Sequence, residues 1–122
     1  MPTKPLRSIR KRRDFELVFK EGISSRSQYL VLYARPNELS YNRLGLSVSK
    51  KIGKAVIRNR IRRLLKEAMK KLFGDSSVSY DVVIVARKLS AEGKLDDFIR
   101  SIKRFLPKVF NEKSTNISDK GV

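Results

Sequence analysis

Residues 54–73, KAVIRNRIRRLLKEAMKKLF, decide how the whole chain is read. At about 100° per residue, Ile57, Ile61, Leu64, Leu65, Ala68 and Leu72 fall within one narrow arc, so the segment from about Lys54 to Phe73 is an amphipathic helix. Its opposite face carries Asn59, Arg62, Arg63, Lys66 and Lys70. A helix side that merely faces water interleaves Glu with Lys at i,i+4. Here Arg58, Arg62, Lys66 and Lys70 repeat at that spacing and repel one another. Between Lys50 and Lys71, ten cations stand against Glu67 alone. Lys50, Lys51 and Lys54 also lie beside the positive end of the helix macrodipole, where cations are unfavourable unless an anion binds among them. An external polyanion satisfies both conditions, and phosphate has the required chemistry.

Working outward, Gly74, Asp75 and Ser76 end the helix, and Val82 to Val85 form an unbroken apolar run inside a strand from Tyr80 to Arg87. Such a strand is buried on both faces and belongs at the centre of a sheet. Upstream, Leu44, Leu46 and Val48 alternate with Arg43, Gly45, Ser47 and Ser49, and a second strand covers Gln28 to Arg35, with Tyr29, Val31 and Tyr33 on one side and Leu30, Leu32 and Ala34 on the other. Turn residues at Pro36-Asn37 and Ser40-Tyr41-Asn42 predict a hairpin between these two. Phe15, Val18 and Phe19 before Gly22 predict a short helix from about Lys11 to Glu21. Leu95, Phe98, Ile99, Ile102, Leu106 and Val109 predict a final helix, with Pro107 bending or ending it. The expected order is α-β-β-α-β-α in one domain over residues 1–110. An extended N-terminus at 1–8 carries Pro2 and Pro5, and the polar tail at 111–122 reads as disordered.

Composition narrows the function. With 29 Lys+Arg against 12 Asp+Glu in 122 residues, the formal net charge is +17, which again calls for a polyanionic partner. The 40% hydrophobic content supports one modest core, with little stability to spare against self-repulsion, so anions such as sulfate or phosphate are expected to promote folding. The absence of Cys and His excludes disulfides, thiolate metal sites and imidazole bases. No apolar segment of membrane-spanning length or signal-peptide pattern is present, so a soluble cytoplasmic protein without a membrane partner is expected. The glycine at 45 and the lysines after it lack the second Gly and the Ser or Thr of a phosphate-binding loop. Asp14, Glu16, Glu21, Asp96 and Asp97 read as helix-surface charges rather than metal ligands. Helix-turn-helix DNA recognition needs two adjacent short helices, whereas strands flank this long basic one.

The aromatics leave two readings open. Phe15 and Phe19 share a helical face, and on periodicity alone core packing is favoured over base stacking. Tyr33 stands on a strand whose other face, with Leu30 and Leu32, already serves packing, so both uses remain available to it.

The run GLSVSKKIGKAVIRNRIRRLLKE, residues 45–67, resembles the signature of the bacterial ribonuclease P protein family, centred on Arg58-Asn59-Arg60. RDFELVFKEG at 13–22, LVLY at 30–33 and DVVIVAR at 81–87 resemble that family's first helix, first strand and third strand, and the resemblance covers about Leu6 to Phe110. It implies an α+β fold, a two-layer α-β sandwich of the ribosomal-protein-S5-domain-2-like type with a left-handed β-α-β crossover. It also implies a subunit of a ribonucleoprotein endoribonuclease that removes the 5′ leader of precursor tRNA. Catalysis would belong to the RNA with divalent metal, Mg2+ being expected there, and no cofactor or catalytic residue would belong to the protein. Matched by position, Arg58, Asn59, Arg60, Arg62, Arg63 and Lys66 join Lys50, Lys51 and Lys54 as the set expected to bind the catalytic RNA. Phe15, Phe19 and Tyr33 match the aromatics of the cleft that takes the leader, which moves the expectation for all three towards function. A binding module alone, such as a ribosomal protein or RNA chaperone, is the competing class. Co-purification of one structured RNA with precursor-cleaving activity would separate the two.

Overall fold

The computed structural model describes the backbone of residues 5–121 and the side chains of residues 5–110. Residues 1–4 of the expected extended N-terminus, and the side chains of the expected polar tail at 111–122, lie outside the described residues. Five strands, β1 (Leu6–Ser8), β2 (Ile23–Arg26), β3 (Leu30–Pro36), β4 (Asn42–Ser47) and β5 (Tyr80–Ala86), form one sheet in the order β1-β4-β5-β3-β2. Three helices, α1 (Arg12–Glu21), α2 (Ala55–Phe73) and α3 (Leu95–Gly121), complete the α+β sandwich.

The all-apolar β5 lies at the centre, as its sequence requires, and this overturns the predicted hairpin. β3 pairs antiparallel with β5 and β4 pairs parallel with it, so β3 and β4 are separated by the strand that follows them both. A continuous Val/Ile run needs neighbours on both edges, and β5 takes both. The 37–41 link therefore passes the end of β5 instead of making a tight turn. Asp81 fastens that link: its carboxylate accepts from Asn37 Nδ2 (2.8 Å) and from Arg43 Nε and Nη2 (2.8 and 2.7 Å).

The handedness of the β4-α2-β5 crossover follows from two backbone bonds. Asn37 N–H donates to Ser79 O and Arg87 N–H to Tyr29 O, so the odd-numbered residues of β5 turn their peptide groups towards β3. Val82 and Ile84, whose side chains face the helical layer, turn theirs towards β4. For L-residues this fixes β4 to the right of β5, viewed from α2 with β5 pointing up. The path from β4 over α2 to β5 runs leftward and is left-handed, against the usual rule.

α2 and α3 cover one face of the sheet, burying Leu30, Leu32, Ala34, Ile61, Leu65, Phe73, Val82, Ile84, Phe98, Ile102 and Phe105. Asn42, 2% exposed, ties this layer together: its Nδ2 donates to Phe73 O at the end of α2, and its Oδ1 accepts from Tyr80 N at the start of β5. Two short strands depart from the sequence reading. β1 forms where a Pro-containing extended end was expected, because the free edge of β4 supplies partners: Asn42 N–H donates to Pro5 O and Ile9 N–H to Leu44 O. β2 follows α1 and pairs antiparallel with β3. Pro107 does not end α3, which continues through it with Phe105 and Val109 buried on either side.

Candidate nucleic-acid interface

The outer side of α2 presents the cations that the sequence placed there. Asn59, Arg63 and Lys66 are exposed and Arg62 half-exposed, with Arg62 Nη1 donating to Asn59 Oδ1 at 3.0 Å. Among the described residues, no cation between Lys50 and Lys71 takes part in an ion pair. Lys50 and Lys51 stand on a 3-10 turn, Lys50–Ile52, whose start is capped by Ser49 Oγ accepting from Lys51 N–H. Lys54 occupies the N-cap of α2 and makes no side-chain capping bond, and no acidic residue occupies the first turn. At this helix end Lys50, Lys51 and Lys54 are all exposed, and among the described residues none of them is ion-paired.

Arg58 and Arg60 flank the apolar arc and are half-buried, each with one bond directed into the protein. Arg58 Nε donates to Gly53 O (3.1 Å), and Arg60 Nη2 donates to Gly93 O (2.8 Å) just before α3. Arg60 was expected among the residues that bind the catalytic RNA, off the apolar arc. The structure gives it a structural bond as well, since a guanidinium has further donors to turn outward.

The second surface is the sheet face opposite α2 and α3, where among the described residues α1 is the one helix that provides cover. Val18 is fully buried against Val83 and Ile9, with Phe15, Tyr33 and Val85 partly buried around them. Phe15 lies directly over Gly45: a Cβ built there would come within 2.6 Å of its ring, so glycine at that strand position lets the helix seat. Phe19 remains 42% exposed and meets Tyr33 edge-to-face, ring centroids 4.7 Å apart. The three predicted aromatics thus lie together between α1 and the sheet, Phe15 packed over Gly45 and Phe19 with Tyr33 as an accessible pair. Arg43 holds α1 in place by donating to Asp14 Oδ2 (3.3 Å) as well as to Asp81, which is 1% exposed. The hydrogen bond to Asp81 lifts the Arg43 guanidinium well above its usual pKa, outweighing the opposing effect of burial. Sequence reasoning missed this anchor. Its one signal is an acid heading an otherwise apolar strand.

A family model described as ribonuclease P matches residues 4–110. The chain belongs to the bacterial ribonuclease P protein family. The ribonuclease P protein component of Clostridioides difficile (strain 630) is 42% identical over 114 residues, spanning 92% of this chain and 94% of the relative. That of Caldanaerobacter subterraneus is 41% identical over 110 residues, spanning 88% and 95%. Among solved structures, the ribonuclease P proteins of Thermotoga maritima and Staphylococcus aureus are each 33% identical with a TM-score of 0.70. They cover 84% and 81% of this chain and 96% and 91% of their own. Membership in the ribonuclease P protein family makes the chain a protein component of that enzyme, associated with its RNA and its tRNA substrate in tRNA processing. Among the described residues, no helix is long and apolar enough to cross a membrane.

Proposed function

We propose that this ribonuclease P protein divides its two surfaces between two RNAs. The basic side of α2, with Lys50, Lys51 and Lys54 at its start and Asn59, Arg62, Arg63 and Lys66 along it, binds the phosphates of the catalytic RNA. Arg58 and Arg60 contribute from its margins. The cleft of Phe15, Phe19 and Tyr33 takes the single-stranded 5′ leader of precursor tRNA. The observation that carries this reading is the cation face of α2, free of ion pairs among the described residues, on one side of the molecule and an accessible aromatic pair under α1 on the other face of the sheet. Phosphates satisfy the first, and unstacked bases satisfy the second. The protein supplies positive charge and leader contacts, while phosphodiester hydrolysis belongs to the RNA with its Mg2+, in the cytoplasm.

Reconstitution with a bacterial ribonuclease P RNA tests this. As Mg2+ is lowered until the RNA alone is idle, adding the protein should restore cleavage at the mature 5′ end of precursor tRNA. No restoration at any Mg2+ concentration, or cleavage by the protein without RNA, would refute the proposal.

A further inference from the structure

An open groove of about 570 Å³ lies around the edge of the sheet from the aromatic cleft, between the β2-β3 turn, the end of β5 and one side of α3. Four cations line it, Arg26, Arg87, Arg100 and Arg104, and all are arginines. Among the described residues Asp97 is the one carboxylate in the lining, and it is already engaged: Oδ2 accepts from Lys94 N–H at 2.8 Å, and Oδ1 meets the exposed Arg100 at 3.7 Å. Arg100 and Arg104 repeat at i,i+4 on α3, the same repulsive spacing found on α2. The rim is fixed in advance. Ser27 Oγ accepts from the N–H groups of Tyr29 and Leu30, and Arg87 Nη1 donates to Ser27 O at 2.8 Å, leaving its other donors for a ligand.

Planar guanidinium groups in such a cluster match phosphate oxygens bidentately. The groove starts at the end of β2, the strand that runs beside Tyr33. Ser24 pairs with Tyr33 in the register of β2, and Arg26 stands two residues further along, roughly 7 Å away at strand spacing. We infer that this arginine groove binds phosphodiester groups of the precursor leader beyond the bases held by Phe19 and Tyr33, extending the leader site around the sheet edge onto α3. This rests on the leader-cleft reading above.

The test uses reconstituted holoenzyme carrying Arg100→Gln with Arg104→Gln. Both positions are exposed and Arg87 is kept, so the turn retains its frame. Affinity is measured for mature tRNA, for a precursor whose leader just fills the aromatic cleft, and for one several nucleotides longer. Tyr33→Ala is run in parallel. The double variant should bind the long-leader precursor about tenfold more weakly, with a salt slope shallower by about 0.7 for each leader phosphate no longer neutralised. It should bind the short-leader precursor and mature tRNA as the unchanged protein does. Tyr33→Ala should weaken both precursors. If Tyr33→Ala weakens both and the double variant weakens neither, the groove inference falls and the cleft stands. If the double variant weakens all three ligands equally, the phosphates belong to the catalytic RNA or the tRNA body, and the assignment to the leader is overturned. If neither variant shows any dependence on the leader, both readings fall.

Discussion

On one face of the sheet, two helices seal Phe73, Phe98 and Phe105 completely. On the other, the single short α1 covers Val83 and leaves Phe19 and Tyr33 in contact with solvent. The same kind of side chain thus does different work according to how many helices lie over it. Under double cover a ring is worth its full burial, and under single cover much of its surface remains free for a ligand. The proposed leader site lies where the fold can spare the packing.

The strongest way to break this comparison is to truncate one ring from each face. Phe98→Ala should cost about 3–5 kcal/mol in urea unfolding, the range for a fully buried ring. Phe19→Ala should cost far less while weakening precursor-tRNA binding. Equal stability losses would show that the α1 face is as much core as the other.

A second test sharpens the comparison through charge. The sealed layer must hold the fold against the repulsion along α2, so an anion that binds only the native arrangement should add stability. Sulfate at one hundred times its Kd should add about 2.7 kcal/mol. Helical circular dichroism should rise with sulfate more than with chloride at equal ionic strength. A chain that is fully helical in anion-poor buffer and indifferent to sulfate would show that the core carries the charge unaided.

The smallest expected difference lies between two arginines three residues apart. Arg63→Ala should weaken binding of the catalytic RNA at unchanged melting temperature, since the side chain is exposed. Arg60→Ala should weaken binding and also cost about 1 kcal/mol of stability through loss of the bond to Gly93 O. Identical melting curves would assign Arg60 a purely outward role.

The sequence was most legible where periodicity had a single interpretation. α2, the central β5 and the start of α3 declare themselves because their apolar residues permit one arrangement each, and the cation face is visible as the complement of α2's arc. Alternation in β3 and β4 shows that each has two faces, but it does not name the neighbouring strand. The pairing was settled instead by competition for the edges of β5. β1 and β2 carry almost no apolar signal, because edge strands of three and four residues are held mainly by backbone bonds to a neighbour already in place. The roles of Phe15, Phe19 and Tyr33 could not be read from spacing, since a ring's exposure depends on the elements that pack over it. The groove on α3 was invisible for a similar reason: its arginines come from three separate stretches of chain.

The strand order has a consequence for how the molecule comes into being. β3 and β4 wait on either side of a gap that only residues 80–86 can fill. A nascent chain that stops short of Tyr80 holds two facing, unpaired edges about two strand spacings apart, roughly 9.5 Å, and cannot close the sheet on itself. The domain therefore cannot assemble progressively from its N-terminus during synthesis. It condenses when the last strand arrives, bringing distant parts of the sequence together in one step, and such non-local pairing is slower than the forming of local helical contacts. Until then its open edges are vulnerable to other chains, and a ribosome stalled before β5 would release a fragment prone to aggregate.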